Sequence, residues 1–382
     1  MKELAIYVHV PFCVRKCLYC DFLSGPEHLK DMDEYLDMLL VEMKQYQEFI
    51  RKYKVRSIFL GGGTPSILSP EQITKVMKAL QEVIHTNLLP NAEITIESNP
   101  GTLTMDKLTT YLKLGINRIS MGLQSTHKEE LKLLGRIHTY EEFLQGFHFA
   151  RKAGFQNINV DLMSGLPGQT EEDFEETLKR IIALNPEHIS AYSLIIEEGT
   201  KFYGVYGTEE GKKMLPDEEM DRLMYKKTKE ILGKAGYERY EISNYAKKGM
   251  ESRHNLSYWT GIEYLGLGLG ASSYFEEKRY HNEEDMKYYL QMLHKNESVL
   301  HLDETLSTQD KMEEFMILGL RLMHGVEKRE FLNRFSVTIE KVYGDTIKKL
   351  TSLGFMKEEE DRLYLTEQGI DVSNEIFTMF LD

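Results

Sequence analysis

Cysteine, proline and tryptophan are scarce in this chain, and it has no excess of positive charge. Its 382 residues include 3 cysteines, 9 prolines and 1 tryptophan, and the formal net charge is −14 at pH 7. An odd number of cysteines, all within residues 13–20, does not build a disulfide framework and favours a reducing cytoplasm. The acidic balance argues against broad nucleic-acid binding, which requires a basic surface.

Long apolar runs are also missing. No stretch approaches the roughly 18 consecutive apolar residues that indicate a transmembrane helix, so we expect no intrinsic membrane segment. The N-terminal run MKELAIYVHVPF has no small-residue cleavage site and is typical of a strand. With 41% hydrophobic and 28% charged residues, the composition is that of a soluble globular protein.

Strand-like runs alternate with helical patterns along the first two hundred residues. Six strand–helix units fit there, which predicts parallel strands joined by right-handed crossovers. Because a closed barrel needs eight units, we expect an α/β fold with a partial (β/α)6 barrel, and a doubly wound sheet is the alternative. We predict a barrel over residues 1–215, an extension over 216–295, and a smaller winged-helix-like α+β domain over 296–382.

The three cysteines follow the first predicted strand with the spacing Cys13-x3-Cys17-x2-Cys20. Structural thiols are one interpretation. Zinc is another, with His9 as a fourth ligand, although CxxxC is not the common zinc spacing. Iron–sulfur clusters are bound by thiolates in short loops, and three ligands on a four-iron cluster leave one iron open.

This loop resembles the cluster loop of the radical S-adenosylmethionine superfamily, in which CxxxCxxC follows the first strand. The resemblance implies that Cys13, Cys17 and Cys20 hold a [4Fe-4S] cluster. Its open iron would chelate the amino and carboxylate groups of S-adenosylmethionine, whose reductive cleavage supplies a 5′-deoxyadenosyl radical in that superfamily.

Further motifs make the chain similar to the coproporphyrinogen oxidase-like branch of that superfamily, over roughly residues 4–380. They are HVPFCVRKCLYCDF, GGGTP, TIESNP, NRISMGLQS, LGRIHT and DLMSGLPGQT. Several fall at predicted strand ends, where parallel α/β folds bind ligands. The resemblance implies cofactor-binding or cluster-adjacent roles for Tyr7, Tyr19, Phe22, Gly62, Gly63, Thr64, Glu97, Gln124, Arg136 and Asp161. We assign no catalytic residue.

Two features separate the functional classes of this branch. The oxygen-independent coproporphyrinogen III oxidases carry a further cysteine two residues after the third, and Phe22 stands there in this chain. The HemW-type haem chaperones are marked by HNxxYW, and the chain contains HNLSYW at 254–259. The chain thus resembles the chaperones, and a radical enzyme acting on a tetrapyrrole is the alternative.

The chaperone resemblance implies that the chain binds haem and passes it to haem-accepting client proteins. It assigns haem binding to His254, Asn255, Tyr258 and Trp259, because imidazole ligates haem iron and aromatic rings pack on a flat macrocycle. His254 is the leading ligand, and His281 and His301 rank below it. The expected cofactors are a [4Fe-4S] cluster, S-adenosylmethionine and haem, and a homodimer is left open.

Overall fold

The computed structural model describes residues 1–381 and contains one large sheet and one small sheet. The strands are β1 Glu3–Val10, β2 Lys54–Gly62, β3 Leu88–Ser98, β4 Arg118–Gln124, β5 Ile158–Ser164, β6 His188–Ser193, β7 Glu238–Arg239, β8 Asn244–Ala246, β9 Tyr264–Leu267, β10 Ser272–Phe275, β11 Lys278–Asn282, β12 Leu300–Thr305, β13 Val326–Glu327, β14 Met356–Glu359 and β15 Arg362–Leu365.

Helices cover the strands and fill the C-terminal region. They are α1 Met32–Gln45, α2 Gln47–Ile50, α3 Pro70–Ile84, α4 Met105–Lys113, α5 Lys128–Leu133, α6 Tyr140–Ala153, α7 Glu171–Leu184, α8 Lys201–Tyr206, α9 Glu209–Lys212, α10 Glu218–Lys234, α11 Arg253–Trp259, α12 Met286–His294, α13 Thr308–Gly319, α14 Lys328–Phe335, α15 Ile339–Ser352, α16 Glu367–Asp371 and α17 Ser373–Thr378. Among residues 1–381, no helix has both the length and the apolar character needed to cross a membrane.

The centre of the large sheet is parallel and follows chain order. Its strands are arranged β12-β11-β10-β9-β1-β2-β3-β4-β5-β6-β8-β7, and β1 to β6 pair in parallel. A doubly wound sheet reverses its strand order at a switch point, and no reversal occurs within β1–β6. The predicted α/β fold with six barrel units is therefore confirmed, and β9 adds a parallel neighbour to β1.

Local sequence signals explain where the helices on this sheet begin. Ser69 caps α3 through a capping box with Gln72, and Pro70 occupies the first helical position. Thr170 caps α7 in the same way with Asp173. These side chains satisfy N–H groups that the helix itself leaves unpaired. Both helices therefore begin directly after their cap residues.

Two main hydrophobic cores form along the chain, and a third, smaller cluster surrounds Leu134 and Met163. The larger contains buried side chains from Leu4 to Val299, and the smaller contains buried side chains from Met316 to Phe380. The smaller core lies around the sheet β13-β15-β14, in which β14 and β15 form an antiparallel hairpin. The bounds of the three predicted domains stay a prediction. Strand β12 continues the large sheet past residue 296.

A buried carboxyl group joins the extension to the barrel. Glu42 on α1 is fully buried and accepts hydrogen bonds from the Gly268 N–H (2.9 Å), the Tyr289 hydroxyl (2.6 Å) and the Asn282 amide (2.7 Å). Burial raises the pKa of Glu42 to about 7. The three donated hydrogen bonds lower this pKa, but their effect is smaller than that of burial. The folded chain therefore binds the proton of this carboxyl group more tightly than the unfolded chain does.

We expect this group to make stability depend on pH. Because the folded pKa of about 7 exceeds the ordinary 4.5, its contribution is fully present below pH 4.5 and is lost as the pH rises through 7. Glu42→Gln removes the titration, so the difference in unfolding free energy between wild type and variant should shift between pH 5 and pH 8. Urea unfolding at both pH values measures this, with Glu82→Gln, an exposed residue of α3, as the control. An unchanged difference would contradict the assignment.

Candidate functional site

The predicted cluster loop lies at the carboxyl end of the parallel strands. Cys13 follows β1 directly and is buried, and Cys17 and Cys20 are partly exposed. The Cys13 sulfur lies 3.6 Å from the Thr64 hydroxyl, which follows β2, and 3.7 Å from the Ser24 hydroxyl. The first cysteine is thus fixed between two strand ends.

The middle of the loop is held by backbone contacts from later units. The Leu18 N–H donates to the Leu134 carbonyl (3.0 Å), and the Leu18 carbonyl accepts from the Phe202 N–H (2.9 Å). Arg136 donates to the Cys17 sulfur at 3.4 Å and also donates to the Gly122 carbonyl on β4. A guanidinium beside these sulfurs favours an anionic group in the loop.

The donor set suits a soft metal. Burial raises the pKa of the Cys13 thiol and raises that of Cys20 to about 11, whereas a coordinating metal deprotonates a thiol outright. Thiolate ligands select iron–sulfur clusters, zinc or copper rather than hard cations. Within the described residues 1–381, no three His, Cys, Asp or Glu side chains are grouped so as to hold a single metal ion. Three thiols in one short loop are the kind of ligand set that holds an iron–sulfur cluster.

The glycine segment 61–63 at the end of β2 packs tightly against β1 and the cysteine loop. Gly62 has a φ of +107°, which favours glycine, and a Cβ there would lie 2.5 Å from the His9 ring. A Cβ at Gly63 would lie 2.6 Å from the Phe12 carbonyl oxygen and 3.0 Å from the Cys13 sulfur. The backbone of this segment therefore lies directly against β1 and the cysteine loop, with no side chain between them.

Two carboxyl groups face this end of the barrel. Glu97 accepts the Gly62 N–H at 3.1 Å, and burial, with the nearby charge of Asp161, raises its pKa to about 8. Asp161 accepts from the Asn159 amide (2.7 Å) and the Ser120 hydroxyl (3.2 Å), and burial raises its pKa. Unlike the motifs at strand ends, Asp161 lies mid-strand, because LMS extends the buried run of β5 to Ser164.

The other cofactor candidates on the barrel lie around the same end. Gln124 ends β4 with a φ of +74° and accepts the Tyr192 hydroxyl at 2.8 Å. The Tyr7 hydroxyl pairs with His9 Nδ1 at 2.9 Å, and His9 Nε2 pairs with the Leu23 carbonyl at 2.9 Å. The structure thus brings the strand-end candidates and the cysteine loop together in one connected site.

The two aromatic residues of the loop differ in placement. The Tyr19 ring packs 6.3 Å from that of Phe202, and burial raises the Tyr19 pKa. Phe22 is 56% exposed, and its carbonyl accepts from the Lys16 ammonium at 2.8 Å. Sequence reasoning missed Ser24, Tyr192 and Asn159, because their roles depend on contacts between distant units that no local motif signals.

HNLSYW forms the short helix α11 at the amino end of the strands, opposite the cysteine loop. His254 is 1% exposed and stacks on Phe59 with ring centroids 5.0 Å apart. Its Nδ1 pairs with the Ser57 hydroxyl (3.0 Å) and its Nε2 with the Tyr258 hydroxyl (2.9 Å). Burial, then the charge of Arg118, lowers the His254 pKa to about 3. Both ring nitrogens are thus engaged inside the barrel.

Asn255, Tyr258 and Trp259 are only partly buried. The Asn255 N–H donates to the Ser252 hydroxyl at the start of α11 (3.3 Å). Tyr258 and Trp259 line a cavity of about 1050 Å³, and the Arg321 guanidinium lies 4.5 Å from the Trp259 ring centroid. Lys2 and Glu3 also line this cavity, which places it at the amino end of β1.

The lower-ranked histidines lie elsewhere. The rings of His281 on β11 and His301 on β12 stack at 5.2 Å, near the outer edge of the large sheet. His281 pairs with Asp303, and His301 lies 3.4 Å from Glu283. Neither histidine lines the cavity with Tyr258 and Trp259.

Comparisons with known proteins agree with this geometry. The radical SAM superfamily model matches residues 7–181, and the HemN C-terminal domain model matches residues 306–372. The heme chaperone HemW of Bacillus subtilis is 36% identical over 98% of this chain and 98% of its own length. The heme chaperone HemW of Escherichia coli is 34% identical over 100% of this chain and 99% of its own length.

A solved structure has the same architecture. The radical SAM enzyme coproporphyrinogen III oxidase (HemN) from Escherichia coli superposes with a TM-score of 0.85 and 26% identity, covering 99% of this chain and 90% of that one. Domain content, full-length similarity and fold all lead to one assignment. The chain belongs to the HemW family within the radical SAM superfamily.

Proposed function

We propose that this protein is a haem chaperone that binds haem and delivers it to haem proteins, using a [4Fe-4S] cluster and S-adenosylmethionine. The observation that carries the proposal is the full-length similarity to proteins named heme chaperone HemW. The cavity beside Tyr258 and Trp259 supports it, since it is as large as the larger ligand sites of proteins, which reach about 1,000 Å³.

The cluster would be held by Cys13, Cys17 and Cys20, with the cofactor beside its open iron. Arg136 offers a cation to the cofactor's carboxylate, and the glycine segment 61–63 offers backbone to its amino group. When bound, the cluster and S-adenosylmethionine supply radical chemistry. Glu97, with its pKa of about 8, can hold or accept a proton there near neutral pH.

The HNLSYW residues would contribute to haem binding in different ways. Tyr258 and Trp259 offer aromatic faces to a macrocycle in the cavity. His254, whose nitrogens pair with Ser57 and Tyr258, would have to leave the barrel interior before it could ligate iron. In this conformation its role is to fix Tyr258 at the cavity wall.

A tetrapyrrole-modifying radical enzyme is the second candidate. The TM-score of 0.85 with coproporphyrinogen III oxidase favours it. Phe22 argues against it, because an exposed phenylalanine stands where the oxidases carry a further cysteine. We propose a cytoplasmic location, haem-accepting clients, and a homodimer as a further state to be tested.

One experiment separates the two candidates. The cluster-loaded protein is saturated with hemin, and unbound hemin is removed. The complex is then mixed with an apo-haem protein such as apomyoglobin. In parallel it is incubated anaerobically with coproporphyrinogen III, S-adenosylmethionine and a reductant. We expect haem transfer and no protoporphyrinogen. Robust turnover without haem transfer would overturn the chaperone proposal.

A further inference from the structure

The cavity behind α11 holds a histidine that is not part of HNLSYW. His324 lines this cavity together with Tyr258 and Trp259. It lies in the turn between α13 and β13, in the C-terminal part of the chain, and its side chain is exposed. His324 therefore borders a large ligand-sized space from the C-terminal part of the chain.

The hydrogen bonding of His324 suits a metal ligand. Its Nδ1 lies 3.0 Å from the Gly325 carbonyl oxygen, to which it can donate, and 3.3 Å from Nη1 of Arg362, which has to turn away for Nδ1 to donate. Among the described residues 1–381, its Nε2 has no hydrogen-bond partner. A ligating histidine usually donates one ring N–H to a carbonyl or carboxylate, which leaves the lone pair of the other nitrogen for the metal.

The cavity wall also suits a flat macrocycle with carboxylate arms. Phe315 and Phe335 join Tyr258 and Trp259 as aromatic lining. Arg334 and Arg362 add cations, which pair with Glu330 and Glu327 and keep 38% and 43% of their side chains exposed. Because exposed ion pairs contribute little to stability, propionates can replace these partners at little cost.

We propose that haem binds in this cavity, between α11 and the C-terminal domain, with Nε2 of His324 as an axial ligand of the iron. This inference rests on the proposed haem-binding function and adds the location and the ligand. It places haem at the amino end of the strands, whereas the cysteine loop follows their carboxyl end.

The two sites are therefore well separated. β1 has 8 residues, which at about 3.3 Å per residue gives about 26 Å between the two ends of the barrel. Hydrogen-atom transfer requires reacting atoms roughly 3–3.5 Å apart. Haem in the cavity is out of reach of chemistry at the cluster, so it is carried and not modified there.

The test is a hemin titration of the cluster-loaded full chain, compared with His324→Ala. We expect the wild type to bind with the absorption and electron paramagnetic resonance signature of an imidazole ligand. His324→Ala should lose that signature and bind at least tenfold more weakly, and added imidazole should restore the signature. His148→Ala, an exposed histidine of α6, is the matched control and should behave as wild type.

The outcomes separate the two proposals. If the wild type binds no hemin, the proposed function fails. If it binds and His324→Ala keeps the imidazole signature and the affinity, haem binds but His324 is not its ligand, which overturns this inference alone. A wild-type complex without an imidazole ligand would overturn it as well. The unfolding midpoint of each variant shows whether the fold is kept, which we expect because position 324 is exposed.

Discussion

Replacing Cys17 with serine is expected to abolish the iron–sulfur cluster. A serine hydroxyl stays protonated near neutral pH and is a poor ligand for soft iron, so two cysteines would be left to hold the cluster. Iron and acid-labile sulfide per chain, measured after anaerobic reconstitution, should fall from about four to near background. Cys13→Ser and Cys20→Ser should give the same result.

Val14→Ser is the matched control for this prediction. Val14 lies in the same loop and is 55% exposed, so the change adds a hydroxyl without touching a proposed ligand. It should keep full iron and sulfide. Retention of both by Cys17→Ser would contradict the cluster assignment, and stoichiometric zinc without iron in the wild type would replace the cluster with the zinc alternative.

Gly63→Ala is expected to damage the site without altering a ligand. The new methyl would lie 2.6 Å from the Phe12 carbonyl oxygen, 2.9 Å from the Val10 carbonyl oxygen and 3.0 Å from the Cys13 sulfur. Two of these atoms are backbone, so the end of β1 and the cysteine loop must move apart. Overpacking of this kind costs about 1–3 kcal/mol. The free energy of unfolding measured in urea and the iron content per chain should both fall.

Gly233→Ala provides the comparison. Gly233 lies in α10, and a Cβ there meets nothing within 4 Å. Alanine in a helix is favoured over glycine by up to about 1 kcal/mol, so this variant should be slightly more stable and fully loaded. A Gly63→Ala protein with wild-type stability and iron would show that the close packing of the glycine segment on the loop is not required.

Local patterns predicted much of the barrel and its cluster site. The cap residues Ser69 and Thr170 signal helix starts by chemistry that acts within one turn, and α3 and α7 begin directly after them. Strand order followed from the repetition of units. Because parallel strands end at one edge, the strand-end motifs could be placed beside Cys13 before any coordinates were known.

Other features depend on contacts that no local pattern contains. The mid-strand position of Asp161 could not be predicted from the sequence, because no local signal in INVDLMS marks where the strand ends. The direction of His254 depends on Ser57, nearly two hundred residues earlier in the chain. His324 carries no motif, and it meets Trp259 only through the packing of the C-terminal region on α11.

Hemin titration of the cluster-loaded chain tests the central claim most directly. Trp259 is the only tryptophan and lines the cavity, so its fluorescence reports binding alongside haem absorbance. The account predicts saturation at one haem per chain, with quenching that follows the absorbance change. Hemin that adds without saturation, or leaves Trp259 fluorescence unchanged, would contradict it.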